Sequence, residues 1–537
     1  MTERKQPADH TGAHPRRALR PLLGIATLVP VILAGAAVAL QESPRTEVLE
    51  PTTTQARPGA AAMYCPGPIT VPEGSVAAKS DGEFAQTPPS TTAAIGTISV
   101  EPGSSLLHGR TTGSETMQDA KDGSAQAPTI RTLGAQDQVL SEQAAKKNLG
   151  AAVQQIPQAP SPTQVTSASF DGGTPVLDVT QATATTTGDH RALSTTRCTS
   201  PVTSADFLGA STQKGHSAIL SLHNPTSRPA TASVQVWSEK GAAAMEGRSR
   251  VVVAPGATEH VLLESIVPGA ASLGVHLDVL GSPLVPTLQQ TSRDGLTPGG
   301  AEILSSMAPP STDLTIPAIH VTEGAPRLVL LNPAAEPVQV KAQVRGPQGP
   351  VQVPGTEAIE VPAGSVTAVP LPGLTPANYA VHLSAPSPVS AVVRFDVAGK
   401  DLPGDTVGVP VDTAVAAPAP LLTQGAVLAI PPGRSDGRLV LTASEAATAQ
   451  IIPLRADGSA GSAVPVEIPA GSAVTRSQRA LAIGPDTVGL MVVPSAGELS
   501  ASWVQLQSDG AGANLVSVLT VEPPETLSLG VEVQLEN

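Results

Sequence analysis

Ser211-Thr212-Gln213-Lys214 has the S-x-x-K spacing in which a lysine amine can take the proton of a serine nucleophile. In penicillin-binding enzymes that pair works beside S-D-N and K-T-G, and neither tripeptide occurs in the chain. The stretch also lies in a glycine-flanked loop between predicted strands and does not open a helix, so no acyl-transfer site is assigned to it. His216 and His223 flank one predicted strand, seven residues apart, and neither H-x-H nor H-E-x-x-H occurs to offer two imidazoles to a metal. His276 in GVHLDV and His382 in YAVHLSA stand at corresponding places in a repeat, which argues for a shared structural role. No G-x-S-x-G, P-loop or dinucleotide fingerprint follows a strand, and no acidic calcium loop is complete. The expectation is a non-enzyme with no catalytic residues, no cofactor and no metal.

Two residue types carry other possibilities. Cys65 and Cys198 are the two cysteines, and outside the cytoplasm such a pair is expected to be oxidised. In the chain-entropy picture a loop of that length contributes roughly 5 kcal/mol. Neither cysteine has a second cysteine or a histidine at zinc-ligand spacing. Sugar-binding platforms rely on exposed aromatic faces, and the chain has eight aromatic rings: two Trp, two Tyr and four Phe. Strand alternation places Trp237 on a polar face, which makes it the candidate partner-binding residue; the competing reading packs it at a domain joint.

The elements that must position these residues follow from composition. At 537 residues and 40% hydrophobic, the chain is long enough for several cores, which Val, Leu, Ile and Ala must fill because rings are scarce. Fifty-four prolines, 49 glycines and only 14% charged residues suit many short strands joined by tight turns. Residues 1–20 hold five basic side chains against two acidic ones, so the rest is more acidic than the net charge of -14. Such a surface repels phosphate backbones, and nucleic acid is excluded as a partner.

Residues 21–40 are uncharged and about long enough to cross a bilayer, with Arg16, Arg17 and Arg20 just before them. Two readings stay open: a single-pass signal anchor holding the C-terminal region outside the cell, or a signal peptide cleaved near Ala39 that releases a secreted protein. Residues 41–60 are Pro/Thr-rich and read as a linker. Residues 61–200 form a mixed, mainly β domain with strand-like AAIGTISVEPG and TPVLDVTQAT, and residues 135–155 have a helical composition.

Beyond residue 205 the chain repeats itself. Asn224-Pro225 returns as Asn332-Pro333 at a shift of 108, and Pro362-Ala363-Gly364 returns as Pro469-Ala470-Gly471 at 107. That period fits one small β-sandwich, and units are expected at 201–317, 318–425 and 426–537. Val338, Val340, Ala342 and Val344 alternate with Gln339, Lys341, Gln343 and Arg345, the pattern of a strand with one buried face. IEVPAGS reads as a hairpin corner, Pro362 ending one strand and Gly364 turning into the next. The strand that follows each unit, of the type LSLGVEVQL, is assigned to the sandwich before it or to the joint. The fold class is all-β: tandem immunoglobulin-like sandwiches after an N-terminal membrane or signal segment.

Residues 190–237 carry Arg191-Ala192-Leu193 before Cys198, then Pro201, Phe207-Leu208-Gly209, and a strand, Asn224-Pro225 and strand. This pattern resembles an actinobacterial secreted or membrane-anchored family of domain of unknown function 5719, over about residues 60–537, although Asp206 stands where that family often has an aromatic. The resemblance implies an envelope-associated, β-rich protein and confers no catalytic residues. The functional expectation is a non-enzymatic envelope protein whose acidic, rod-like ectodomain serves as a scaffold or interaction module, with an unknown envelope protein or glycan as partner. The alternative is an accessory factor that binds envelope glycan or a glycan-processing enzyme.

Overall fold

The computed structural model describes residues 60–70, 90–100, 129–132, 139–141, 151–168 and 175–523, except 246, 248, 296, 401–407 and 434–435. All of them fall within one compact unit, Arg57–Ser528. The membrane or signal segment 21–40, most of the linker and the strand LSLGVEVQL lie outside the described residues. Among the described residues, no helix is long and apolar enough to cross a membrane.

Among the described residues, thirty-three strands build four modules. The first holds β1 (Ala60–Cys65), β2 (Ala93–Val100), β3 (Thr129–Thr132), β4 (Val139–Ser141), β5 (Ala151–Ala159), β6 (Thr163–Ala168), β7 (Val176–Thr185) and β8 (Ala192–Arg197). The second holds β9 (Ser204–Ala210), β10 (His216–His223), β11 (Ala230–Ser238), β12 (Gly241–Ala242), β13 (Arg250–Val253), β14 (Thr258–Leu262), β15 (Leu273–Gly281), β16 (Val285–Asp294) and β17 (Thr297–Leu304). The third holds β18 (Ser311–Val321), β19 (Arg327–Asn332), β20 (Val338–Gly346), β21 (Gly349–Val351), β22 (Ile359–Val361), β23 (Ser365–Pro370), β24 (Ala377–Ala398) and β25 (Val411–Ala416). The fourth holds β26 (Ala426–Ala429), β27 (Asp436–Thr442), β28 (Ala447–Arg455), β29 (Val464–Ile468), β30 (Ala473–Ser477), β31 (Thr487–Ala496), β32 (Ser500–Ser508) and β33 (Asn514–Thr520).

Each module is two antiparallel sheets with one strand order. If the short β12 and β21 hairpin arms are set aside, strands one, six, three and four form one sheet, and five, two, seven and eight form the other. These are β1-β6-β3-β4 and β5-β2-β7-β8 in the first module, and β26-β31-β28-β29 and β30-β27-β32-β33 in the fourth. In the third, β24 is both sixth and seventh strand, pairing with β18 and β20 in its first half and with β19 and β25 in its second. Pro386 and Pro388 fall where it changes sheets, in a stretch that needs no ladder donors. A constant-type immunoglobulin domain places its first strand beside its second, in the sheet opposite the third and sixth. Here the first strand pairs with the sixth, so these are sandwiches of a different strand order.

The first module was expected to be a mixed domain; it has the strand order of the other three. Residues 135–155 are not a helix where described: Val139–Ser141 and Ala151–Ala159 are strands. The expected boundary at 317/318 cuts β18, which pairs with β24 and sinks Ile316, Ala318 and Ile319 into the third core. The strand following a unit therefore opens the next sandwich. The Pro-Ala-Gly corner is not a hairpin either, since β22 pairs with β20 while β23 pairs with β19 in the other sheet. It is an arch between sheets. Gly364 (φ 57°) and Gly471 (φ 66°) adopt the left-handed turn, and their N–H groups donate to Ala334 and Ala443.

The modules do not form a row. The sheet carrying strand three of each module faces the sheet carrying strand two of the next, and the fourth module closes on the first. Trp237, Arg345 and Leu454 occupy the same place in β11, β20 and β28, as the registers Ala230↔Val253, Val338↔Val361 and Ala447↔Ile468 align them. Trp237 packs on Val329, Leu331, Val366 and Val392 of the third module. Arg345 donates to the Ser444 hydroxyl of the fourth at 3.0 Å. Leu454 and Met491 pack against Ile98 and Val100 of the first. The residues opposite the three are Gly274, Ala380 and Gly489, small because the next module presses on them. A Cβ on Gly274 would lie 2.7 Å from Leu331 Cδ2.

Candidate functional site

Closure brings the eighth strands together: β8 packs on β17, β17 on β25, β25 on β33, and β33 on β8. Two carboxyl groups are buried on this axis. Glu302 Oε1 lies 3.1 Å from both the Ser194 and the Ser517 hydroxyl. Asp412 Oδ2 accepts the Leu193 N–H at 3.1 Å and the Val516 N–H at 2.8 Å. Burial pushes the Asp412 carboxyl up to about 7, against those backbone donors and Arg191. Burial, then the neighbouring Asp412, raises Glu302 well above the ordinary carboxylate range. Around the axis Arg191 meets Asp509 at 2.8 Å, both side chains 3% exposed, and Arg197 meets Asp178 at 2.8 Å. Asp178 also accepts the Ala429 N–H at 2.6 Å, which ties the first module to the fourth.

These groups look like chemistry and act as staples. Each carboxyl group accepts a hydrogen bond or ion pair from another module, with Asp412 Oδ1 left without a partner among the described residues, and the space beside Glu302 is about 20 Å³, room for roughly one water. Cys65 and Cys198 form the disulfide expected of them, joining the end of β1 to the chain just after β8. Ser211 is fully buried and donates to the Ala270 carbonyl at 3.0 Å, while Lys214 is exposed, so S-x-x-K is not an assembled pair. His276 binds Asp206 at 2.9 Å, and His382 lies 3.2 Å from Thr315, each a bridge to the first strand of its module. Their equivalence is geometric and not electrostatic. Burial lowers His382, and although burial works against it too, His276 is raised by Asp206 and Asp278.

Trp237 does not stand on the wet face that alternation assigned to it. It is 8% exposed, because near the end of β11 the outer face is covered by the third module. No group of three His, Cys, Asp or Glu side chains suited to a metal occurs among the described residues.

The joint between the first and second modules differs from the joint between the second and third. Between Tyr64 of β1 and the outer face of β10, β14 and β16 lies a cleft of about 320 Å³. Ser221 and His223 line it, at the positions that Val329 and Leu331 fill in the third module; the shared asparagines 224 and 332 fix that alignment. Asn224 and Asn332 are themselves fully buried, each donating to the carbonyl four residues on, Arg228 or Glu336, and to the carbonyl that ends β13 or β22, Val253 or Val361. They hold β10 and β19 in the same register, so the exchange of Val-Leu for Ser-His falls squarely on the joint.

In the cleft, His223 Nδ1 lies 3.0 Å from the Thr258 hydroxyl, and its Nε2 has no hydrogen-bond partner among the described residues. Burial lowers this imidazole, so it is neutral at pH 7. The Tyr64 ring stands 5.9 Å from it, and Gln164 donates to the Tyr64 oxygen at 2.9 Å. Ser221 Oγ and His260 Nδ1 are 2.9 Å apart as directly opposed residues of β10 and β14. His216, at the far end of β10, instead meets Ser292 at 3.2 Å and does not converge on the cleft.

Residues 151–477 match the family described as Family of unknown function (DUF5719), more than half of the chain. The chain belongs to that family. The match begins in β5 and ends in β30, so DUF5719 covers the second and third modules whole and cuts through the two that close the ring. It includes β10, β14 and β16 of the cleft, but not Tyr64. No curated protein matches the chain.

Proposed function

We propose that this is an exported, non-enzymatic envelope protein whose closed set of four sandwiches serves as an interaction module. The observation that carries this reading is the contrast among joints. Buried ionisable groups at the axis and the closing joint bridge one module to another, whereas hydroxyls and imidazoles line an open cleft in the first joint where the second joint is filled by apolar side chains. The Cys65–Cys198 disulfide supports an oxidising compartment, and the basic residues before 21–40 support insertion with the remainder outside. An anchor at 21–40, or cleavage near Ala39, both agree with it. Contact between first and fourth modules replaces the rod-like spacer with a closed body that presents faces.

Proximity labelling from the full-length protein in its native cell tests the proposal. Labels are expected on envelope proteins or wall material. Predominantly cytosolic neighbours, or turnover of an envelope substrate by the purified protein, would overturn it.

A further inference from the structure

We infer that the cleft between the first and second modules binds an uncharged sugar; this rests on the reading of the protein as a non-catalytic binder. Its chemistry restricts the occupant. Among the described residues, no lysine, arginine, aspartate or glutamate lines it, so it has no fixed partner for a phosphate, a carboxylate or an amine. It is not an apolar slot either, because its walls carry the Ser221, Thr258 and Thr287 hydroxyls and the His223 and His260 imidazoles. Hydroxyls and imidazole rings carry donors and acceptors side by side, and a polyol is the ligand whose groups do likewise. The C–H faces of a sugar ring find the Tyr64 ring and the prolines at 66 and 162.

Geometry supplies two further points. A volume of about 320 Å³ lies at the lower end of the roughly 300–1,000 Å³ typical of small-molecule sites, which suits a ligand of about one or two rings. Thr258, whose hydroxyl lies 3.0 Å from His223 Nδ1, and His260, whose Nδ1 lies 2.9 Å from Ser221 Oγ, are exposed on the cleft wall and offer a bound hydroxyl both donors and acceptors. The repeat itself shows that openness is not forced on this joint. Where Val329 and Leu331 stand at the matching positions, the same two sheet faces meet around Trp237.

Saturation-transfer NMR on the full-length oxidised protein tests this with glucose, galactose, mannose and arabinose, against glucuronate, glucosamine and an uncharged tripeptide. At least one neutral sugar should show transfer. Its affinity should fall about tenfold or more in His223→Ala and measurably in His260→Ala. The exposed His260 can be replaced with no change in melting temperature, which separates loss of binding from loss of fold. No transfer from any neutral sugar, equal transfer in both variants, or preference for a charged sugar or for the tripeptide would overturn the assignment. If no sugar binds while labelling still marks the envelope, the sugar inference fails alone; if a sugar binds and is converted, the non-catalytic reading fails.

Discussion

The second and first joints of the ring bring together the same two sheet faces and end differently. In the second, Trp237 is driven onto Val329, Leu331, Val366 and Val392, and the joint is filled by apolar side chains. In the first, Ser221 and His223 replace the valine and leucine, and a cleft stays open. Chain connectivity holds both pairs of modules together, so closure of the ring does not require the first joint to be filled. The difference shows that a repeat protein can withhold packing at one copy of an interface and leave polar groups lining it. Filling that joint should stabilise the protein and abolish binding; emptying the other should destabilise it and create no specific site.

The largest effect is expected from emptying the filled joint. Trp237→Ala removes an indole that is 8% exposed and leaves a hole lined by aliphatic side chains, which should lower stability by about 3–5 kcal/mol. Denaturant unfolding measures it. A loss under about 1 kcal/mol would mean that the second and third modules do not depend on each other.

Overpacking the closing joint comes next. A Cβ at Gly489 would collide with Ile98 Cδ1 and lie 2.6 Å from the Leu428 carbonyl oxygen. Gly489→Ala should therefore cost about 1–3 kcal/mol and expand the particle in small-angle scattering as the first and fourth modules separate. Unchanged scattering and stability would break the claim that the ring closes at this point.

The third prediction reverses the comparison. Ser221→Val together with His223→Leu writes the third module's residues into the second. Burial of the added apolar surface and removal of an unmet polar atom should raise stability by about 1–2 kcal/mol. A destabilised double variant would show that the cleft's polar groups hold the joint and do not await a ligand.

How much of this was legible follows from which surfaces a sequence records. Alternation in β20 was legible because Val338, Val340 and Ala342 face their own module's core and Gln339, Lys341 and Gln343 face water. Arg345 and Trp237 break the rule because a third body, the next module, covers the strand end; alternation distinguishes two faces and says nothing of neighbours. The disulfide was legible from two cysteines in a chain whose N-terminal residues read as an export signal. The first module was not legible as a fourth copy, since it lacks the Asn-Pro and Pro-Ala-Gly motifs and long segments separate its strands. The cleft had one available signal: Ser221 and His223 stand in columns where the aligned repeat is apolar. The axis had none, because Glu302, Asp412, Ser194 and Ser517 meet only when four modules close.

The smallest expected effect concerns pH, and it separates joint from axis. Burial lowers His223 below its ordinary value, only partly offset by its hydrogen bond to the Ala257 backbone. An unfolded imidazole titrates near 6.5, so below that pH the unfolded chain binds more protons and the stability held by the neutral imidazole is lost. Asp412 acts in the opposite sense. Its folded carboxyl titrates at about 7 and its unfolded one near 3.8, so the folded state binds more protons between them and stability falls as pH rises through that window. Melting temperatures between about pH 4 and pH 8 should therefore show His223→Leu losing part of the acid-side decline, and Asp412→Asn flattening the fall toward neutrality. Trp237→Ala should lower the whole curve with little change in its slope, because no titrating group lies among its apolar contacts in the filled joint. If Trp237→Ala altered the slope as much as His223→Leu did, the open and filled joints would not differ in the way their residues indicate.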